Sequence, residues 1–215
     1  MIPTGLIVFA VLLLLFIILY KSVGLYYAIN DDTTMQKLAA GSITGSPDGH
    51  LVFIKYVLGA VLAGLFSVFP GIDWYGIALT GLMFLCFFLI IMRILYLAGK
   101  RKNRAAACIT SAAGILAALY LLADSLILFQ FTLVAGMLGA TALFYLASSG
   151  DRVKTYEYVI VWILLMLASI IRTTVFYMAV PIAAVLTVVL PLSSLAVTGD
   201  WLSIIRFNSY LILTS

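Results

Sequence analysis

Charge is what this 215-residue chain has least of: twelve lysines and arginines and eight acids make up 9% of it, against 65% hydrophobic residues. A soluble domain carries about 25% charged and about 45–50% apolar residues. Twenty charged side chains cannot coat a globule of this size, so a soluble enzyme and a disordered chain are both excluded. The mean hydropathy of +1.24 asks for a bilayer as solvent. Histidine occurs once, at His50, which excludes a histidine-built metal cluster. The two cysteines, Cys86 and Cys108, sit inside apolar runs with neither a disulfide framework nor metal spacing. HExxH, CxxC, Walker A, GxSxG and GxGxxG are all missing. Internal repeats and low-complexity linkers are missing too, so residues 1–215 read as a single membrane domain.

What is present is a series of apolar runs. A spanning helix takes about 20 residues, so the length allows about seven. The first run, Ile2 to about Tyr27, lacks a basic n-region and reads as an uncleaved helix, with Lys21 snorkelling and Tyr20, Tyr26 and Tyr27 as an aromatic belt. Further runs cover Leu51–Phe69, Gly76–Ala98, Ala105–Ala123, Leu126–Leu146, a sixth from Glu157 to Arg172, and Val175–Val197, where Pro181 and Pro191 predict a kink or break. The predicted fold is all-α, a polytopic transmembrane bundle of about seven spans. The stretch from Gly199 to Ser215 is weakly amphipathic and closes on LILTS without a charged tail, as a piece of a longer gene product would.

The longest polar stretch, within residues 28–50, forms loop A. Asn30 or Asp31 is expected to cap a short helix through Ala40 whose apolar face is Met35, Leu38 and Ala39, and which lies along the membrane surface. Gly41 should stop it, and Ser46-Pro47-Asp48-Gly49 has turn chemistry. Loop B (70–75) is tight and aromatic, with Trp74-Tyr75 as interfacial anchors. Loop C, GKRKNR at 99–104, is the most basic patch. It abuts a span and lacks aromatic interleaving, so it reads as contact with anionic lipid and not with nucleic acid. If every run crosses once, loops A, C and E (148–155) share a side, and assigning each basic residue to its nearest loop, Arg93 included, puts ten of the twelve there. The positive-inside rule then makes that side cytoplasmic.

Few residues could carry chemistry. Asp31-Asp32 directly follows a span: the pair could hold a divalent cation such as Mg or Mn, or one member could act as a general base, or the stretch could be a solvated loop with an N-cap. Asp48 and His50 are the other loop A side chains able to meet a polar substrate. Arg172 interrupts an apolar stretch, where a guanidinium is costly and suits phosphate, or else snorkels at a helix end. Lys55 could attract the same phosphate or snorkel. Asp124 reads as a cap, and Gln130 and Thr132 as bonds between helices.

The string NDDTTMQKLAAGSITGSPDGHLVFIKYVL at 30–58, PGIDWYG at 70–76 and IIRTTVFYMAVP at 170–181 together resemble bacterial multi-spanning proteins of the glucosyltransferase type, members of the GT-C glycosyltransferase class. The resemblance implies a multi-pass enzyme of the bacterial plasma membrane that moves a sugar from a polyprenyl-phosphate carrier to a cell-envelope glycan or lipid. It implies an essential acid in the loop after the first helix, here Asp31 or Asp32, and it puts that loop outside, against the basic count. Arg172 would bind the donor phosphate, a role that rests more on its chemistry than on the match. Two other readings stand beside it: a transporter or flippase for a lipid-linked or anionic substrate using Arg172 and Lys55, and a non-catalytic membrane subunit or fragment.

Overall fold

A computed structural model describes residues 2–24, 26–100, 102–121, 128–149 and 154–198. Expectations for Asp124, the weakly amphipathic stretch 199–215 and the loop residues Arg101, Asp151 and Arg152 lie outside the described residues. Among those described, eight helices are joined by short connections: α1 (Ile2–Ser22), α2 (Asn30–Ala39), α3 (Tyr56–Val68), α4 (Trp74–Gly99), α5 (Arg104–Leu121), α6 (Phe131–Ala147), α7 (Thr155–Ile171) and α8 (Thr173–Thr198). Two extended pairs, β1 (Tyr26–Tyr27) and β2 (Leu128–Phe129), lie parallel in register 26 to 128 and 27 to 129. The all-helical expectation holds. Among the described residues only two helices, over Thr4–Ser22 and Trp74–Gly99, are long and apolar enough by themselves to cross a membrane; five others are apolar but shorter.

The apolar run at 51–69 is where the span count departs from the sequence. Residues 52–54 are bent, Lys55 is an extended N-cap, and α3 has only 13 residues. At 1.5 Å per residue it reaches about 20 Å, short of a hydrocarbon core about 30 Å thick. α1 also ends early, at Ser22, because Gly24 turns the chain at φ +83. Tyr26 and Tyr27 then pair as a strand and do not continue a helical belt. α8 runs unbroken past Pro181 and Pro191.

The loop A helix forms as its spacing predicts. Met35 and Ala39 are buried, and Lys37 in the last turn complements the helix dipole. Its cap differs: Ile29 is the extended N-cap, so Asn30 and Asp31 lie inside the helix. Gly41 ends it in a Schellman motif, with Ser42 N–H donating to Lys37 O and Gly41 N–H to Leu38 O. Its φ of +78 and the 2.4 Å that would separate a Cβ from the Ser46 carbonyl carbon both require glycine.

α6 is the central helix, buried against α4, α7 and α8 along Val134, Ala135, Leu138, Ala142 and Leu146. Small residues let the backbones approach, and a Cβ on Gly139 would stand 3.2 Å from Val175. Large apolar side chains point outward elsewhere: Leu6, Ile109 and Tyr177 are 71%, 68% and 69% exposed.

Contacts fix the helix directions. Thr4 at the start of α1 shares a groove with Tyr96 and Lys100 at the end of α4, so these two are antiparallel. Tyr145 donates to Leu89 O at 3.3 Å and Arg93 reaches Ser148, while Tyr75 and Phe131 meet at the other end, so α4 and α6 are parallel. α7 opposes α6, with Glu157 at Arg93 and Arg172 at Thr132. α3 starts beside the end of α7, where Lys55 N–H donates to Ile170 O at 2.9 Å. It finishes beside the start of α4, where Trp74 Nε1 donates to Phe69 O at 3.1 Å. Both ends of α3 are therefore at the loop A end of the bundle. Loop A and loop C consequently lie at opposite ends, which corrects the strict alternation expected from one crossing per apolar run.

Candidate functional site

Four of the residues singled out from the sequence converge at the loop A end. Asp32 projects from α2 into the core and is fully buried. Its Oδ1 accepts from Tyr75 Oη at 2.8 Å and from the backbone N–H of Phe131 at 3.0 Å. It thus supplies, from a distant loop, the cap that Gln130 does not give α6. Among the described residues Oδ2 is buried without a hydrogen-bond partner. Burial pushes the carboxyl above the usual range, against the opposing pull of the Tyr75 and Phe131 bonds. Asp31 is exposed. Neighbours on a helix diverge by about 100°, so one carboxylate faces solvent and the other the core. A shared divalent cation, one of the roles left open to the pair by its sequence, does not fit this divergence. Among the described residues no group of three or more His, Cys, Asp and Glu side chains is placed to hold a metal.

Arg172 occupies the break between α7 and α8 as an extended cap residue (φ −149, ψ 105). Phe53 and Phe131 stack with centroids 5.4 Å apart, and the guanidinium carbon lies 5.7 and 5.2 Å from the two rings. Nη1 donates to Thr132 Oγ1 at 3.2 Å. Thr132 thus makes the interhelical bond expected of it. Lys55 is exposed, and its Nζ donates to Ser169 Oγ at 3.3 Å. Neither cation has a carboxylate within 4.0 Å among the described residues. Two positive groups at the end of one helix, held by hydroxyls and aromatic faces, are electrostatically open to an anion.

Asp48 and His50 lie nearer the rim. His50 Nδ1 and the His50 N–H reach Asp48 Oδ1 at 2.8 and 2.9 Å, and the imidazole packs on Tyr56 at 4.7 Å. The His50 backbone N–H and then its ring hold the Asp48 carboxyl below its usual range. Below Lys55, an open apolar groove of about 410 Å³ runs between α3, α4 and α7, from Val57 and Ile170 to Gly81 and Leu82.

Two polar networks were not foreseen. Asp73, in the loop read as an aromatic anchor, caps α4 by accepting from Gly76 N–H at 3.1 Å, and it accepts from Tyr27 Oη at 2.6 Å. Burial and then Asp73 raise the Tyr27 phenol. At the opposite end, Arg93 is buried and ion-paired with buried Glu157. The same guanidinium donates to Ser148 Oγ at 2.7 Å and Ser149 Oγ at 3.0 Å, and lies 5.1 Å from the Tyr145 ring. The signal was available: a guanidinium five residues inside an apolar run is costly without a partner, as at Arg172. Its assignment to the nearest loop hid it.

No protein-family model matches the chain, and neither a curated protein nor a solved structure matches it.

Proposed function

We propose that the chain is a multi-pass membrane protein of the bacterial plasma membrane and that its loop A end binds a phosphate-bearing, lipid-linked sugar for transfer to a cell-envelope acceptor. One observation carries this reading: Arg172 and Lys55, without carboxylate partners among the described residues, lie at the end of α7 beside an apolar groove, with Asp32 bonded to the same Phe131 on which Arg172 packs. A guanidinium fork suits a phosphate, and the groove suits the hydrocarbon of a polyprenyl carrier. Arg172 and Lys55 hold the phosphate. Asp31, the exposed carboxylate, is the base that takes a proton from the acceptor hydroxyl, and Asp32 positions α2 by capping α6. The glycosidic C–O bond to the carrier phosphate breaks as the acceptor oxygen bonds to the sugar, and the carrier phosphate leaves on the two cations. Asp31→Asn is expected to abolish glycan modification while the protein still accumulates in membranes. Arg172→Gln should weaken binding of farnesyl phosphate, a short polyprenyl phosphate, about tenfold or more. Full transfer in Asp31→Asn, Asp32→Asn and the double variant would sink the transferase reading.

In the multi-pass reading α1 and α4 to α8 make six crossings, with α3 returning to its own side. The 17-residue helices α6 and α7 reach about 25 Å, near the lower limit for a span. Loops C and E carry Lys100, Arg101, Lys102, Arg104, Arg152 and Lys154, against Lys21, Lys37, Lys55 and Arg172 toward the other end. The positive-inside rule makes the loop C end cytoplasmic and loop A external, in agreement with the GT-C resemblance. With Cys86 and Cys108 replaced, a cysteine at Ser42 should react with an impermeant maleimide in intact cells, and one at Asn103 only after lysis. The reverse pattern would invert the orientation, and equal labelling of both would return α3 to a full crossing.

A further inference from the structure

At the end opposite the candidate site, Thr4 of α1 and Met92, Leu95, Tyr96, Gly99 and Lys100 of α4 line an open groove of about 310 Å³. Its mouth is basic and its floor apolar. Lys100 Nζ stands 4.6 Å from the centre of the Tyr96 ring, and Lys154 Nζ donates to Tyr96 Oη at 3.3 Å. The two ammonium groups therefore share one phenol although they come from α4 and from the start of α7. Neither has a carboxylate within 4.0 Å among the described residues. Among the described residues the acid nearest Lys154 in sequence, Glu157, is spent: Oε1 pairs with Arg93 and Oε2 accepts the backbone N–H of Lys154. Lys102 and Arg104 add charge to the same end.

We infer that this groove is a binding site for an anionic glycerophospholipid. Its phosphate sits between Lys100 and Lys154 at the Tyr96 hydroxyl, and an acyl chain lies along Met92 and Leu95. The inference rests on the membrane reading above, and not on the transferase reading. Charge complementarity selects the occupant: two ammonium groups without a carboxylate partner among the described residues favour an acidic headgroup over a zwitterionic one. A groove floored by thioether and leucine atoms favours an attached hydrocarbon over a free ion.

The full chain in an uncharged detergent is titrated with fluorescent phosphatidylglycerol. The wild type should bind it, and Lys100→Gln/Lys154→Gln should bind about 30-fold more weakly, while Lys37→Gln, on α2 at the opposite end, leaves affinity nearly unchanged. Unaltered affinity in the double variant, equal binding of phosphatidylcholine, or full competition by inorganic phosphate would each overturn the inference. The last would assign the lysines to a free anion. Flotation with neutral liposomes reads membrane insertion separately, so a failed lipid site and a failed membrane reading give different results.

Discussion

Glu157→Ala should lower stability by about 3–5 kcal/mol, because it leaves a buried arginine without its counter-charge. Arg93 is 3% exposed, and its guanidinium binds Ser148 and Ser149, just past the end of α6, and Glu157 of α7. Removing the carboxylate spares the hydroxyl contacts but not the charge. It also frees the Lys154 N–H, which Glu157 Oε2 accepts at 2.9 Å to start α7. Replacing both partners, as in Arg93→Leu/Glu157→Leu, should recover most of the loss, since well-packed apolar pairs commonly match buried ion pairs. Equilibrium unfolding in mixed detergent micelles would measure both variants. A Glu157→Ala protein as stable as the parent would mean that the pair is wet and unimportant.

Gly59→Ala is expected to cost about 3 kcal/mol, at the upper end of overpacking effects. A Cβ at Gly59 would stand 2.0 Å from the carbonyl oxygen of Gly49, and one at Gly49 would stand 2.7 Å from the amide of Ala60. Backbone meets backbone there, so no side-chain rotation relieves the clash. The close approach locks the turn at the end of loop A onto α3, and with it the positions of Lys55 and Phe53. Gly64, on the open face of the same helix, has nothing within 4 Å of its Cβ position. Gly64→Ala should therefore be neutral or stabilising by up to about 1 kcal/mol through helix propensity. Equal thermal shifts for the two variants would refute the packing explanation.

The parts of the fold that local chemistry decides were readable. The 3.6 spacing of Met35, Leu38 and Ala39 marked α2, and Gly41 marked its end. The unbroken apolar lengths of α1 and α4 marked the two helices long enough to span. The failures share one cause: pairing across long sequence distances. Hydropathy gives Leu51–Phe69 the length of a span, but Lys55 bonds to Ile170, and that contact starts α3 late. Asp31 and Asp32 look equivalent as a string, yet the helix turns one outward and the other toward Tyr75 and Phe131. Arg93 and Glu157, 64 residues apart, read separately as a loop-proximal cation and the start of a span. At the candidate site, the residue types were legible at Asp32, Lys55 and Arg172; that they meet at one end was not. Phe53, which holds Arg172 against Phe131, carried no signal beyond ordinary apolarity.

The bond from Asp32 to the Phe131 amide spans 99 residues, and the parallel pairing of β1 with β2 spans a similar distance. Both have a consequence for synthesis. The first helix and loop A leave the ribosome long before their partners exist. At about 5–20 residues per second, roughly 5–20 seconds separate Asp32 from Phe131. Through that interval the buried carboxylate has no helix to cap, and Tyr26 and Tyr27 have no strand to join. Only when α6 arrives can α2 settle and Arg172 find its aromatic seat. A chain cut anywhere before residue 131 would carry its early helices and still lack the site.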